Sequence, residues 1–456
     1  MTPRTRRAAA AFIVLGLALP ASAQTTGQPA GTSAAPAPAS TPGWARVSFF
    51  ADGSWSKAND GTTSSFSEFI TTVSVRSRVW ESGGLEYGLD VRVAGYPSSE
   101  NMSTRASLFE GYVGARFNNG RIGFRVGQMW LNDLGALGSI GGGLFESRWP
   151  VGGGKLRFRF GAFGGWEPQI QAIKYVSGVH KYGGYAVLEA PNGLRRHVIG
   201  YVNIRDSGLT ERSVITFQNF VPVIGNNLFF YQAAEYDLKG PANVGSSHLT
   251  YFFINGRAKP AKWLELTGTY HRGRSIDTRG ITLDQLNGRP INPKSLDGYL
   301  FESGGGRVTV EVVKGVRLFA GYTRDRNNQD DAARNRWQFG AWLYNVAGSG
   351  FDINVTDWRT RQSGQTTYDS WYVSVGRSIV PKLYLTGEFN SSVSTLRLLS
   401  NNDLSVVSRP RTHRYAVSGT LRVTRSASVL MSAERYDDQY QREYRVMGGL
   451  TFRFGL

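Results

Sequence analysis

The stretch that decides the fold is residues 85–94, whose sequence is LEYGLDVRVA. From 85 to 93 the odd positions carry Leu, Tyr, Leu, Val and Val, while the even positions carry Glu, Gly, Asp, Arg and Ala. Successive side chains of a β-strand point to opposite faces, so this pattern predicts a strand with one apolar face and one polar face.

The same alternation recurs through most of the chain, with turn-forming residues between the segments. Clear examples are residues 122–126, 156–162, 307–312 and 383–389. Repeated half-apolar strands of this kind predict an all-β protein. Because the charged residues alternate with the apolar ones, no segment after the amino-terminal 23 residues is apolar enough for a transmembrane helix.

The connections between these segments differ in length. Short ones alternate with longer polar ones at residues 98–107, 131–143, 274–297 and 394–410. Short turns at one end and long loops at the other are typical of bacterial outer-membrane barrels. We therefore predict a single large transmembrane antiparallel β-barrel over residues 44–456, with about 22 strands in a range of 18 to 22, of which the first begins near Trp44, the eleventh near Leu228 and the last near Arg442.

The amino terminus indicates export. Arg4, Arg6 and Arg7 precede an apolar run that ends in Ala21-Ser22-Ala23. This is the pattern of a secretory signal peptide, which we assign to residues 1–23. Residues 24–43 contain mainly Thr, Gly, Ala, Pro and Ser and predict a flexible periplasmic lead-in.

The carboxyl terminus carries a more specific pattern. Aromatic and aliphatic residues occupy one face of the last segment, at Tyr444, Val446, Leu450, Phe452 and Phe454. This segment resembles the terminal strand of outer-membrane porins, although it ends on Gly455 and Leu456 instead of an aromatic residue. The resemblance implies a location in the outer membrane of a Gram-negative bacterium and recognition by the barrel-assembly machinery.

Composition and motifs exclude several other functions. The chain has no cysteine, so a cysteine-based metal or redox site is impossible, and it has neither a Gly-x-Ser-x-Gly nor a His-Glu-x-x-His motif. We therefore expect no enzyme activity and no cofactor. The formal net charge is +18. In an exported protein such a charge favours contact with outer-membrane lipid and anionic lipopolysaccharide, and not with nucleic acid.

If the apolar face of each strand contacts lipid, the opposite face lines the lumen. On that face we count thirteen basic and eight acidic residues. Positive charge on a pore wall favours anions. The predicted pore-lining residues are Arg92, Arg121, Arg125, Arg157, Arg159, Arg307 and Arg317. Among them Arg121, Arg125, Arg157 and Arg159 lie on neighbouring segments and predict a positive stripe, unless acidic residues pair with them.

Two functions remain open. The first is a porin-like channel for passive diffusion of small, preferentially anionic solutes. The second is a structural conduit around a periplasmic electron-transfer or export partner. An energy-coupled receptor is disfavoured, because residues 24–43 are too few and too polar to form a plug domain.

Overall fold

A computed structural model describes most of the chain from Gly43 to Gly455. The described residues are 43–77, 83–97, 104–191, 193–223, 227–240, 248–291, 295–296, 298–330, 332–362, 366–400 and 403–455. The predicted signal peptide and, apart from Gly43, the predicted lead-in lie outside them. In the described part of the chain, no helix is both long enough and apolar enough to cross a membrane.

The described residues form one antiparallel sheet in which each strand pairs with its neighbours in sequence. The strands are β1 Trp44–Ala58, β2 Thr63–Arg76, β3 Gly84–Gly95, β4 Arg105–Phe117, β5 Ile122–Trp130, β6 Ser139–Val151, β7 Leu156–Gln169, β8 Lys174–Glu189, β9 Arg196–Asp206, β10 Leu209–Val223, β11 Leu228–Lys239, β12 Leu249–Ala261, β13 Leu264–Ser275, β14 Tyr299–Val313, β15 Val316–Asn327, β16 Arg334–Leu343, β17 Phe351–Gln362, β18 Thr366–Val380, β19 Leu383–Ser400, β20 Asp403–Ser408, β21 Arg411–Arg422, β22 Ala427–Asp438 and β23 Gln441–Gly455. One α-helix, α1 (Thr278–Leu286), lies between β13 and β14.

The sheet closes on itself. β1 pairs with β23 along its whole length, from Trp44 opposite Gly455 to Ala58 opposite Gln441. β21 pairs with the first part of β19, Leu383 to Val393, and β20 pairs with its last part, Leu396 to Ser400. Together they therefore occupy one position in the wall. The barrel therefore has 22 strand positions, and the predicted fold and strand count are confirmed.

The two faces of the wall have the predicted chemistry. Leu85 on the outside is 74% exposed, whereas the next residue, Glu86, points inward and is 4% exposed. Val126 and Val417 on other strands are also highly exposed. A closed barrel with an apolar exterior satisfies its backbone hydrogen bonds internally, as a bilayer requires. The protein is thus a porin-like β-barrel of the bacterial outer membrane.

Both ends of the barrel wall, Trp44 and Gly455, lie at the same end of the barrel. The connections at this end are short, such as the turns at 118–121 and 314–315, whereas the longest connection, 276–298, lies at the opposite end. Periplasmic turns are short in such barrels, so the end with the termini is the periplasmic one.

Two predicted loops are wrong in extent. Residues 394–410 are mostly strand, because β19 runs to Ser400 and β20 begins at Asp403. The loop predicted at 131–143 ends earlier, since β6 begins at Ser139 and includes three consecutive glycines. These glycines allow close approach of two strands, because a Cβ on Gly142 would collide with the carbonyl oxygen of Gly164 on β7.

Candidate functional site

The charged side chains on the polar faces of the strands point into the lumen. They are densest around Glu146 on β6. Its carboxylate accepts hydrogen bonds from Arg116 at 2.9 Å, from Arg148 and Arg159 at 2.7 Å, and from the hydroxyl of Tyr185 at 2.8 Å. Glu146 is 3% exposed, so its charge is balanced by these donors and not by water.

A short inward loop, residues 131–138 between β5 and β6, covers this cluster. The Asp133 carboxylate accepts two hydrogen bonds from Arg159, at 2.8 and 2.9 Å, and also pairs with Arg196 on β9. Asp133 itself is 5% exposed. The loop therefore enters the lumen far enough to neutralise two arginines of the wall.

The same loop is attached by apolar packing. Leu131, Leu134 and Leu137 are buried in one cluster with inward-facing valines of β8, β9 and β10, among them Val187, Val202 and Val214. Both faces of these strands are apolar, as the sequence VIGYV at 198–202 illustrates. We call the inner faces of β6 to β10, together with the inward loop, the packed wall.

Sequence reasoning predicted a loop here but missed that it enters the lumen, although a signal was present. A strand that is apolar on one face needs only lipid to cover it, but a strand that is apolar on both faces needs a second cover inside the lumen. Residues 198–202 had this pattern. The inward loop supplies that cover, so the double-sided strand could have been used to predict it.

Most of the predicted pore-lining arginines have acidic partners. Arg92 pairs with Glu68 at 3.1 Å, and Arg125 pairs with Glu86 at 2.8 Å. Arg159 belongs to the cluster around Glu146, and Arg317 pairs with Glu311 at 3.0 Å. The pairs in the first half of the barrel often join strands that are not adjacent, as Glu86 on β3 and Arg125 on β5 do.

The other predicted residues make no ion pair among the described residues. The Arg307 guanidinium lies over the rings of Phe319 and Trp342, 5.7 and 5.1 Å from their centres. Arg157 faces inward near the periplasmic end of β7. Arg121 is exposed in the turn before β5. Of the predicted four-residue stripe, Arg125 and Arg159 are thus neutralised, and Arg121 and Arg157 are not.

The count of eight inward acidic residues was incomplete. The structure also directs Glu189, Glu235 and Asp237 inward, and the inward loop adds Asp133. Alternation was blurred in the strands that carry Glu235 and Asp237, and loops have no alternation at all. The count of thirteen basic residues was incomplete as well, because the structure also directs Arg148, Arg196 and Arg212 inward.

Unpaired cations remain at the periplasmic end. Arg46 on β1 and Arg453 on β23 are directly opposite in the ladder and point inward. Among the described residues, neither they nor Arg157 forms an ion pair. Arg46 donates to the Ser74 hydroxyl, at 3.4 Å, and its guanidinium lies over the ring of Trp44.

A second inward segment, residues 276–291, lies at the extracellular end of the barrel, where α1 contacts β10. Arg279 on α1 donates to Glu211 at 2.6 Å and to Glu167 at 2.7 Å, and lies 3.9 Å from Asp206. Burial alone would lower the pKa of Arg279, but the hydrogen bond to Glu211 and the charges of Glu167 and Glu211 raise it above its ordinary value. Arg279 thus connects the segment to β7, β9 and β10.

The opposite side of the lumen has fewer charges, which on β16 to β18 are Arg334, Arg336 and Asp352. The inner faces of β16, β17 and β18, which we call the open wall, carry the half-buried side chains of Gln338, Asn354, Trp358, Tyr372 and Ser374. Small polar side chains, Thr356 and Ser370, fill the spaces between them. No described residue of the two inward segments pairs with this wall.

Comparison with known proteins gives similar folds among solved structures. No family model and no curated protein matches the chain. OpdQ of Pseudomonas aeruginosa is 10% identical with a TM-score of 0.40, and the match covers 90% of this chain and 98% of that chain. For OccAB2 of Acinetobacter baumannii the values are 10%, 0.42, 90% and 98%. For OpdL of Pseudomonas aeruginosa they are 9%, 0.41, 90% and 99%. Residue roles do not transfer at such identities.

Proposed function

We propose that the protein is a passive channel for small solutes across the outer membrane, with a mild preference for anions. The observation that carries the proposal is the contrast inside the barrel. In the packed wall the charges are paired and the leucines of the inward loop cover the apolar side chains. The open wall instead exposes half-buried polar and aromatic side chains, most of them uncharged. Solutes would pass along the open wall.

The preference for anions rests on the unpaired cations at the periplasmic end. Arg46, Arg157 and Arg453 have no acidic partner in the described part of the chain, so their field acts on the solution at the periplasmic mouth. Cationic groups at a pore mouth attract anions and repel cations. Salt screens such a field beyond about 8 Å at physiological ionic strength, so selectivity should be incomplete.

The two inward segments favour a channel over the conduit. A conduit needs free space for a partner, whereas residues 131–138 and 276–291 occupy part of the lumen and are held there by Asp133 and Arg279. Constricting segments are instead useful for selecting small solutes.

Reversal potentials in planar bilayers test the proposal. Under a potassium chloride gradient, we expect a potential that indicates chloride preference and that increases as ionic strength falls. The variant Arg46→Gln/Arg157→Gln/Arg453→Gln should shift it toward cations. A matched control, Arg205→Gln/Arg324→Gln/Arg326→Gln, removes the same charge from outward-facing positions at the other end and should have little effect. Equal shifts in both variants, or a cation-selective wild type, would contradict the anion preference.

A further inference from the structure

The connections at the periplasmic end of the barrel carry positive charge. Exposed Arg and Lys side chains occupy the turn before β5, the turn before β7 and most of the periplasmic connections that follow. These residues, which we call the periplasmic rim, are Arg121, Lys155, Arg195, Lys262, Lys314, Lys382 and Arg425, and in the described part of the chain none of them forms an ion pair.

No carboxylate in these connections balances the charge. Neither Asp nor Glu occurs in residues 118–121, 152–155, 190–195, 262–263, 314–315, 344–350, 381–382 and 423–426. The connections at the extracellular end carry both signs, for example Asp60, Asp284 and Arg289. The unbalanced positive charge of the described connections is therefore at the periplasmic end.

The rim lies at the level of lipid headgroups. Phe117, Trp149 and Phe454 are exposed on the outer face at the periplasmic ends of β4, β6 and β23. Aromatic side chains of outer-membrane barrels form girdles at the edges of the apolar band, where the headgroups begin. Arg121 and Lys155 lie in the short turns that directly follow β4 and β6. Their side chains are therefore close to headgroup phosphates.

The rim cations are spread around the barrel. They lie in separate connections, from the one between β4 and β5 to the one between β21 and β22. A protein that docks on one side of the barrel would contact only a few of these turns, whereas lipid surrounds the whole wall. Single cations at many points of the circumference thus fit an anionic lipid layer better than one docked partner.

We propose that the periplasmic rim binds anionic phospholipids of the periplasmic leaflet, with headgroup phosphates on the Arg and Lys side chains of the turns. Charge-assisted hydrogen bonds from these cations to phosphate oxygens hold the lipid. The inference goes beyond the proposed channel function and does not depend on it, because the rim lies in the turns, whereas Arg46, Arg157 and Arg453 face the lumen.

The test is fluorescence quenching of the full-length protein in phosphatidylcholine nanodiscs, with a bimane label on Val312→Cys as the reporter. Val312 is 57% exposed and lies two residues before Lys314, and the chain has no natural cysteine. Spin-labelled phosphatidylglycerol should quench the label at a mole fraction about fivefold lower than spin-labelled phosphatidylcholine does. This factor is the value of one cation near an anionic headgroup.

Charge removal from the rim should abolish this preference. In Lys262→Gln/Lys314→Gln/Lys382→Gln, the two spin-labelled lipids should quench the label at nearly equal mole fractions. The matched control is Lys57→Gln/Lys174→Gln/Lys239→Gln, which removes the same charge from exposed positions at the extracellular ends of β1, β8 and β11. It should keep the wild-type preference. Urea unfolding confirms that both variants are folded.

The salt dependence of the wild type tests the proposal without any charge substitution. The preference should fall as potassium chloride is raised, because salt screens exposed charges. Equal quenching by the two lipids in the wild type, or equal preferences in the two triple variants, would overturn the proposal. Displacement of phosphatidylglycerol by soluble poly-L-glutamate at physiological salt would favour an acidic protein on the rim and overturn the lipid.

Discussion

The packed wall and the open wall line the same barrel but have opposite character. In the packed wall, Val187, Val202 and Val214 are fully buried although they face the lumen, and Glu146 is 3% exposed. In the open wall, Trp358 and Tyr372 are half-buried and inner-face charges are rare. The first region resembles the core of a soluble protein, and the second resembles a wetted surface.

The difference implies that the packed wall and the open wall have different roles. Charged groups that are covered and paired contribute to a fixed structure and add little to the field in the pore. Groups that remain in contact with the lumen can act on solutes. We therefore expect substitutions in the packed wall to change stability, and substitutions in the open wall to change permeation.

The largest expected effect is that of Glu146→Gln. Removing this carboxylate leaves Arg116, Arg148 and Arg159 partly unpaired in a buried cluster, which should destabilise the barrel by about 3–5 kcal/mol. Urea unfolding in micelles measures it. The control Glu388→Gln breaks a more exposed pair with Arg414, 3.3 Å apart, and should cost about 0–1 kcal/mol. Equal losses in the two variants would show that the two regions do not differ as described.

A second effect should come from Leu134→Ala in the inward loop. Leu134 is 1% exposed, and its truncation creates a cavity in the packed wall, with an expected cost of about 2–5 kcal/mol. Leu85→Ala makes the same change on the lipid-facing surface, where the side chain is 74% exposed and lipid can fill the space. The unfolding midpoint should fall clearly only in the first variant; a fall of similar size in the second would count against the burial of the loop.

Much of the fold could be predicted from the sequence, because successive side chains of a strand alternate between an apolar outer face and a polar inner face. The alternation at 85–94 placed Glu86 inside and Leu85 outside, and the predicted starts near Trp44 and Leu228 agree with β1 and β11. Residues 394–400 and 403–408, where polar composition had suggested a loop, are strand.

The site was less predictable, because alternation gives a face but no partner. Arg125 was correctly expected on the polar face of its strand, but its pairing with Glu86 spans β4 and depends on barrel geometry. Asp133 lies in a loop, where no periodic pattern exists. Its effect on Arg159 could not be predicted without knowing that the loop enters the lumen.

A smaller effect on stability, but a direct one on the pore, is expected for Asp133→Asn. Without the carboxylate, Arg159 and Arg196 no longer hold the inward loop by charge, so the loop should leave the wall more often and single-channel conductance should rise. The control Asp352→Asn removes an inward carboxylate that bonds the backbone N–H of Asn345 and does not contact the loop. An equal rise in the control would indicate that lost negative charge, and not loop movement, is the cause.

The smallest predicted effect concerns the second inward segment. Arg279→Gln removes the ion pairs to Glu167 and Glu211, so residues 276–291 should open more often and a protease that cuts before aspartate should cleave at Asp284 several times faster. The side chain of Asp284 is already 44% exposed. Arg272→Gln breaks a pair with Glu302 that does not involve the segment, and cleavage at Asp284 should keep its wild-type rate. No acceleration in Arg279→Gln would mean that the segment is held by other contacts.

The most direct test of the account uses the absence of cysteine from the chain. Ser374→Cys introduces a thiol in the open wall, and Val202→Cys introduces one in the packed wall, where the side chain is fully buried. A charged, membrane-impermeant methanethiosulfonate reagent should modify Ser374→Cys in a planar bilayer and reduce its conductance, and should leave Val202→Cys unchanged. Block of Val202→Cys, together with no effect on Ser374→Cys, would contradict the proposed solute path, and the absence of any conductance in the wild type would contradict the channel itself.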